Sequence, residues 1–343
     1  MTTAVISERD ATIAEFLRRR GWGAAARVKL PGDASFRRYE RLVADGRHAM
    51  LMDAPPPRED VRPFLRVARH LTALGFSAPQ IYEADEAAGL LILEDLGDDT
   101  YTRLLARGAD EQALYGLAID LLIELHAIPQ PQVLPQSLPP YDDARLLDEA
   151  RLLTDWFMPA ITGSAPPAAV TEGYLELWKN LLPLTRIAPP TLVLRDYHVD
   201  NLMGLAGRSG IQACGLLDFQ DAVAGPAAYD VVSLLADARR DLAPGLPESM
   251  MARYLAAFPR LDRAAFAASA AILSAQRNAK IIGIFTRLSR RDGKPHYLGH
   301  IPRVWRLLET DLRHPALAEL RDWFDRNLPA DLRRAPLPPE ASA

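Results

Sequence analysis

The chain of 343 residues is poor in cysteine, in long apolar runs and in excess charge of either sign. A single cysteine, Cys214, excludes an internal disulfide and a cysteine metal cluster, so a reducing cytoplasm is the expected compartment. No apolar run is long enough to span a bilayer, and the amino-terminal MTTAVISERD lacks the basic-then-apolar plan of a secretory signal. The lack of a spanning run leads us to expect no membrane as a partner, and the formal net charge of -4 at pH 7 leads us to expect no nucleic acid.

The residues that are present fall into two regions with different patterns. Hydrophobic residues make up 49% of the chain, which allows a sizeable core in one two-lobed unit or two domains. In the first region short apolar and alternating segments predict strands over 27–30, 35–43, 47–52 and 90–93, with helices over 7–20 and 61–74. Beyond Gly97 the pattern is helical, notably over 111–126, 142–157, 171–182 and 229–239. This order predicts an α+β fold with a small β-rich lobe over 1–96, a large helical lobe over 97–332 and a flexible tail over 333–343.

Two segments carry a phosphotransfer pattern: TLVLRDYHVDNLM over 191–203 and GLLDFQDA over 215–222. Kinases need an Asp to accept the proton of the attacking hydroxyl, an Asn five residues on to bind magnesium, and a later Asp that bridges magnesium and the phosphates. Asp196, Asn201 and Asp218 stand at that spacing. Taken singly, these residues are also typical loop caps and strand ends, but all three roles at one spacing favour the phosphotransfer site.

The local sequence predicts how these residues come together. The apolar run 192–194 predicts a buried strand that delivers Asp196 to a loop, and a second apolar run over 214–217 precedes Asp218. A polar, glycine-rich stretch over 204–210 separates the runs, so we expect them to pair as a hairpin and to bring Asp196, Asn201 and Asp218 side by side.

These segments resemble the catalytic region of the aminoglycoside phosphotransferase family, which are small-molecule kinases with a protein-kinase-like fold. The family's Asp-x-His-x-x-Asn loop and second Asp are matched by Asp196, His198, Asn201 and Asp218. The runs MDAPP, LILEDLGDDTY and DFQDAVAGPAAYDVVSLLADAR, which begin at 52, 91 and 218, are similar to bacterial anomeric kinases of cell-wall recycling that act on N-acetylmuramate and N-acetylglucosamine. The resemblance implies a two-lobed kinase that uses ATP and Mg²⁺. It also implies that Asp230 braces the catalytic loop, although that residue is equally placed to cap a helix.

Further candidates for nucleotide binding lie in the first region. The loop PGDASFRR over 31–38 has a single glycine, but Ser35 and the guanidinium of Arg37 or Arg38 are suited to phosphates. Glu94, Asp95 and Leu96 follow a predicted strand at the place where kinases bind adenine through the backbone. The lysine that kinases present on the third strand is missing, because HAMLMDAPP places Met52 or Asp53 there. Either an arginine of the loop substitutes for that lysine, or magnesium holds most of the phosphate charge.

Substrate binding is predicted in the basic and aromatic segment 274–305. Arg277, Lys280 and Arg287 are the candidates to meet an acidic substituent of a sugar, while the alternative is an ordinary solvated charged face. His198, next to the base, is expected to orient the loop.

The sequence therefore predicts an ATP-dependent kinase for the anomeric hydroxyl of an amino sugar. Two alternatives stay open: a kinase for another small alcohol, such as an aminoglycoside or a choline-like cation, and a nucleotide-binding scaffold without turnover. The first needs an acidic pocket, for which Asp142, Asp143, Asp148 and Glu149 are available. The second is suggested by the missing lysine. Oligomeric state is not predicted.

Overall fold

The structure is a computed structural model, and it describes residues 8–31 and 36–338. The strands in this part of the chain are β1 (Ala26–Lys29), β2 (Arg38–Ala44), β3 (Arg47–Asp53), β4 (Ile81–Asp85), β5 (Leu90–Leu93), β6 (Thr191–Val193), β7 (Leu202–Gly204), β8 (Cys214–Leu216) and β9 (Val223–Gly225). The α-helices are α1 (Glu8–Arg19), α2 (Arg62–Ala73), α3 (Tyr101–Ala106), α4 (Glu111–Ala127), α5 (Asp143–Leu152), α6 (Met158–Thr162), α7 (Ala168–Leu181), α8 (Ala228–Leu235), α9 (Leu246–Ala257), α10 (Arg263–Asp292), α11 (Ile301–Asp311) and α12 (Ala318–Asn327).

The chain divides into two compact units. Unit 1 comprises Met1–Ala118 and Val199–Asp221, and unit 2 comprises Ile119–His198 and Ala222–Ala343. Residues 97–118 and 199–221 therefore pack with the amino-terminal region, whereas the lobe boundary proposed from the sequence falls near Gly97. The sequence RDYHVDN that carries the catalytic pattern begins in unit 2 and ends in unit 1.

Unit 1 is built on an antiparallel sheet with strand order β1-β2-β3-β5-β4. Alternate residues of β2 and β3, such as Leu42 and Leu51, are fully buried and pack with Phe16 and Leu17 of α1 and with Trp22. Burial of one face of a sheet against a helix explains why the alternating segments of the sequence form this lobe.

The predicted hairpin between 192–194 and 214–217 is wrong. β6 pairs instead with β9, and β8 pairs with β7, a strand the sequence analysis had not separated from the catalytic loop. A glycine-rich connection joins strands that are adjacent in the chain, so β7 and β8 on either side of 205–213 are the natural hairpin partners. The three catalytic candidates consequently flank strands of two separate pairs, β6–β9 and β7–β8, rather than of one hairpin.

Unit 2 is organised around α10, whose 30 residues are buried along most of their length. Its N-cap Asp262 accepts hydrogen bonds from the N–H groups of Ala264 and Ala265, and Gly293 ends it with φ 66°. Aromatic side chains complete the core, with Trp305 lying 5.4 Å from Phe157, centroid to centroid. The helix predicted over 142–157 is α5 continued by a π-helical turn, Leu153–Phe157.

Two features of the described residues concern the expectations about a membrane and about the tail over 333–343. None of the helices in residues 8–31 and 36–338 is long and apolar enough to cross a membrane. Arg333, the first residue of the expected tail, donates to the Leu328 carbonyl at 2.8 Å and pairs with Glu309 at 3.2 Å. Positions 339–343 lie outside the described residues.

Candidate active site

Asp196 lies in the loop that follows β6, within unit 2. All three residues of β6 are buried, and Val193 is paired with Val223 of β9. The Asp196 N–H donates to the Leu194 carbonyl at 2.9 Å, which turns the chain within two residues of the strand. The strand thus delivers a half-buried carboxylate to the surface of the unit.

The turn before Asp196 is strained and is held from α8. Arg195 has φ 68°, a left-handed conformation that costs free energy for a residue with a Cβ. The Asp230 carboxylate accepts the N–H groups of Leu194 and Arg195 at 2.6 and 2.9 Å, and the Ser233 hydroxyl donates to the Arg195 carbonyl at 3.1 Å. Because the Asp230 carboxylate accepts these two N–H groups, it is bound to the catalytic loop. It does not cap α8, which has no side-chain cap.

Asp230 is completely buried, which shifts its titration. Burial raises the pKa of Asp230 to about 7, and the two hydrogen bonds from the loop N–H groups act against that rise. The nearby Asp196 carboxylate raises this pKa further, whereas Arg277 lowers it. The carboxyl group that holds the catalytic loop is therefore destabilised in its charged form by burial.

The Arg195 side chain joins a buried polar network around Glu149. Glu149 accepts a hydrogen bond from Arg195, a second from the Tyr141 hydroxyl at 2.5 Å, and pairs with the Lys280 ammonium at 3.2 Å. Burial raises the pKa of Glu149, but the charges of Lys280 and Arg195 outweigh burial and leave the pKa below its ordinary value. The network fixes the direction of Arg195, and with it the start of the Asp196 loop.

Asn201 and Asp218 lie at the same end of a hairpin in unit 1. Leu202 of β7 is opposite Leu216 of β8, and the Leu217 N–H donates to the Asn201 carbonyl at 2.9 Å. Asn201 immediately precedes one strand, and Asp218 follows the other by two positions. The hairpin therefore fixes the backbone of these two residues at one end of the β7–β8 pair.

Asp218 has a backbone suited to a functional turn. Its φ is 58°, a conformation that Asp tolerates better than most residues, and its side chain is 46% exposed. The next residue, Phe219, is buried and stacks on Phe64 of α2 at a centroid distance of 5.1 Å. Gln220 donates to the Asp218 carboxylate at 3.0 Å. The buried ring anchors the turn while the acid stays accessible.

The donor set of Asn201 and Asp218 fits magnesium. A carboxylate and an amide oxygen are hard donors, and Mg²⁺ in kinases takes few protein ligands because phosphates and waters complete its octahedron. Across residues 8–31 and 36–338, no group of three or more His, Cys, Asp or Glu side chains is arranged to hold a metal ion.

Arg37 and Arg38, the two arginines at the end of the sequence PGDASFRR, have different surroundings. Arg38 pairs with Asp53 at 2.6 Å, and Arg9 of α1 binds the other oxygen of the same carboxylate at 2.5 Å. Arg37 instead lies 3.8 Å from an oxygen of Asp218. Ser35, the third candidate of this loop, lies outside the described residues.

The expected adenine segment follows β5. Glu94 pairs with Arg208, and the Asp95 carboxylate binds Arg41 through two contacts of 2.6 and 3.1 Å. Leu96 is half-buried. The side chains of the two acids are thus held by arginines of the same unit.

The three proposed substrate cations lie on α10 with unequal exposure. Arg277 and Lys280 are buried, 5% and 8% exposed, and Arg287 is partly buried. Arg277 and Lys280 therefore do not belong to a solvated charged face, whereas Arg290 and Arg291 are exposed and do. Lys280 is held by Glu149 and by the Tyr229 hydroxyl at 2.8 Å, whereas one terminal nitrogen of Arg277 has no hydrogen-bond partner in the described residues.

Sequence reasoning missed two acids that pair with arginines, one in each unit. Glu59, just before α2, lies 3.6 Å from Arg37, and Glu149 holds Arg195. Glu149 had been assigned to an acidic pocket for cationic substrates. Both contacts join residues more than 20 positions apart, so no local pattern in the sequence indicates them.

Comparison with known proteins identifies the family to which the chain belongs. Residues 27–268 match the phosphotransferase enzyme family (APH). The chain is 41% identical to an N-acetylmuramate/N-acetylglucosamine kinase of Caulobacter vibrioides, over 96% of this chain and 99% of the relative. A kinase with the same name from Pseudomonas aeruginosa is 39% identical, over 91% and 92%. The solved choline kinase LicA from Streptococcus pneumoniae superimposes with a TM-score of 0.61 at 12% identity, covering 90% of this chain and all of that one.

The chain belongs to the APH phosphotransferase family and has a protein-kinase-like fold. The family and the α+β fold predicted from the sequence are both confirmed. Among the relatives it resembles are curated kinases named for N-acetylmuramate and N-acetylglucosamine.

Proposed function

We propose that this protein is a cytoplasmic ATP-dependent kinase that phosphorylates the anomeric hydroxyl of N-acetylmuramate and N-acetylglucosamine during cell-wall recycling. The observation that carries the proposal is the similarity over nearly the whole chain to relatives named for those two sugars. Asp196, Asn201 and Asp218 support it, because they supply a base and hard metal ligands at kinase spacing. The choline kinase of similar fold has also been solved in complex with AMP, which supports an adenine nucleotide as the phosphoryl donor.

In the proposed reaction, the anomeric oxygen attacks the γ-phosphorus of ATP, the bond from that phosphorus to the β,γ-bridging oxygen breaks, and ADP leaves. Asp196 orients the hydroxyl and accepts its proton. An anomeric hydroxyl is more acidic than an ordinary alcohol because the ring oxygen withdraws electron density, so a modest base suffices. Asp230 contributes by holding the strained turn at Arg195 that aims Asp196.

Asn201 and Asp218 would hold Mg²⁺, which supplies positive charge to the phosphates and to the leaving ADP. The phosphoryl transition state is loose, so alignment and charge neutralisation contribute more than proton removal. The β7–β8 hairpin supports that task, because its pairing holds the backbone of both residues at one end of the two strands. Glu94, Asp95 and Leu96 are proposed to bind adenine through their backbone.

The lactyl carboxylate of N-acetylmuramate is proposed to meet a cation on α10. Arg277 is favoured over Lys280, because Glu149 already neutralises Lys280 while a terminal nitrogen of Arg277 has no hydrogen-bond partner in the described part of the chain. Arg287 stays a candidate, since burial lowers its pKa and a bound anion would stabilise its charged form.

The alternative of a cationic alcohol is weakened by the state of three of the four acids it needs, and the fourth, Asp148, is exposed on α5. Asp142 caps α5 by accepting the Arg145 N–H at 3.0 Å, Asp143 pairs with Arg186, and Glu149 pairs with Arg195 and Lys280. An acidic pocket for choline or an aminoglycoside would need such groups uncompensated.

The proposal is tested by measuring ADP release with ATP and Mg²⁺ against N-acetylmuramate, N-acetylglucosamine, choline and an aminoglycoside. We expect turnover with the two amino sugars, and the product should lose its reducing end because the anomeric oxygen carries the phosphate. Asp196→Asn protein serves as the matched control for contaminating kinases. Transfer to choline or the aminoglycoside in place of the sugars would contradict the substrate, and nucleotide binding without transfer to any acceptor would favour a scaffold.

A further inference from the structure

We propose that Arg37, oriented by Glu59, binds the nucleotide phosphates in place of the third-strand lysine of protein kinases. This inference rests on the proposed kinase function and names one residue of its nucleotide site. The first 118 residues hold a single lysine, Lys29, and it lies exposed on β1. The third strand ends in Met52 and Asp53, so no lysine of this region takes the usual place.

Arg38 is excluded as the phosphate ligand because it already pairs with Asp53. Its guanidinium makes contacts of 3.0 and 2.6 Å with one oxygen of Asp53, a carboxylate that is 4% exposed. Arg9 binds the other oxygen at 2.9 and 2.5 Å. Removing Arg38 from this pair to reach a phosphate would leave a buried acid with reduced compensation, which is costly.

Arg37 lies beside the proposed metal ligand. Its terminal nitrogen is 3.8 Å from an Asp218 oxygen, and its side chain is only 14% exposed while that of Asp218 is 46% exposed. Phosphates bridged to Asp218 through Mg²⁺ would therefore come within reach of the guanidinium. Arginine suits this role because its planar fork matches phosphate oxygens in pairs.

Glu59 gives Arg37 the second half of a kinase-type ion pair. Its carboxylate lies 3.6 Å from the Arg37 Nε and accepts the Phe36 N–H at 3.1 Å. Kinases hold their lysine with a glutamate from a helix, and here the acid stands three residues before α2. The adjoining Tyr39 hydroxyl is part of the same cluster: burial raises its pKa to about 12, and the hydrogen-bonded Arg37 acts against that rise.

The test compares the affinity of ADP with that of adenosine, both with Mg²⁺, by calorimetry. Arg37→Met should weaken ADP by about 10- to 100-fold, the range for losing a hydrogen bond between charged groups, and leave adenosine unchanged. Arg37→Lys should retain most of the ADP affinity, because lysine also binds phosphate as a point charge. Glu59→Gln should weaken ADP less, and should add little when Arg37 is already methionine.

Arg27→Ala is the control, since Arg27 also pairs with a glutamate of this sheet, Glu40 at 2.5 Å, and should leave ADP affinity unchanged. The inference is overturned if Arg37→Met binds ADP normally, if it weakens ADP and adenosine equally, or if Arg38→Ala carries the loss instead. Melting curves identify any variant that fails to fold, in which case Arg37→Lys and Glu59→Gln decide. Wild-type protein that binds no ADP would overturn the proposed function itself, whereas normal wild-type binding with an unaffected Arg37→Met overturns this inference alone.

Discussion

The position of Asp196 is set by hydrogen bonds of the backbone around it. Asp230 fixes the two preceding residues, so an amide of the same shape at position 196 should leave the turn intact. We predict that Asp196→Asn binds ATP normally but lowers turnover by about 10²–10⁴-fold, the usual loss for a positioned general base. Steady-state kinetics with saturating sugar measures this. Near-normal turnover would remove Asp196 from the mechanism.

The two proposed metal ligands should contribute unequally. Asp218→Ala removes a charge and Asn201→Ala removes only a dipole, so the first should impair magnesium-dependent nucleotide binding more than the second. The measurement is a magnesium titration of ADP affinity for each variant. Small and equal effects would mean that neither side chain holds the metal.

The α10 cations provide a residue-scale test of sugar discrimination. Arg277→Ala should raise KM for N-acetylmuramate while leaving N-acetylglucosamine almost unchanged, because only the first sugar carries a carboxylate. The expected change is about 0.2–1 kcal/mol for a wet pair and more for a desolvated one. Lys280→Ala and Arg287→Ala are measured alongside. If all three variants change both sugars alike, or neither, the substrate carboxylate is bound elsewhere.

At the scale of elements, the contact between α10 and the end of α5 depends on Gly283. A Cβ at this position would lie 2.3 Å from the carbonyl carbon of Leu152, closer than any real contact. We predict that Gly283→Ala lowers the free energy of unfolding by about 1–3 kcal/mol, as overpacking does. The matched control is Gly173→Ala at an exposed position of α7, where no atom lies within 4 Å of the added Cβ and helix propensity should add about 0.5–1 kcal/mol. Equal effects in urea unfolding would contradict the packing argument.

Elements with a complete local pattern were predictable from the sequence. Helix α2 was expected over 61–74 and is found at Arg62–Ala73, because Phe64, Leu65 and Leu71 repeat on one face and Gly75 follows. The partners of β6 and β8 were not predictable. Each strand has three residues, so pairing is decided by tertiary packing and not by any alternation that a sequence displays.

At the scale of the whole molecule, the class of fold and the order of the motif were predictable, while the charge pairing was not. A β-rich first region and a helical remainder follow from hydrophobic periodicity alone. By contrast, Arg37 and Arg38 are identical side chains at adjacent positions, and only the folded sheet assigns one to Asp53 and the other to the neighbourhood of Asp218. Long-range ion pairs of this kind carry no spacing rule.

The stability of the whole protein should carry the signature of Asp230. Its pKa is about 7 in the folded state, above the unfolded value of about 3.9, so its contribution is fully present below the unfolded value and is lost as pH rises toward 7. The difference in unfolding free energy between wild type and Asp230→Asn should therefore fall from pH 5 to 7, by up to about 1.4 kcal/mol per pH unit, and level off by pH 8. Asp241→Asn is the control, because the hydrogen bond from Arg303 lowers the pKa of the exposed Asp241 and its difference should stay flat over this range. Urea unfolding at pH 5, 6, 7 and 8 measures both, and a wild-type advantage over Asp230→Asn that is constant or grows with pH would show that the buried carboxyl stays ionised throughout.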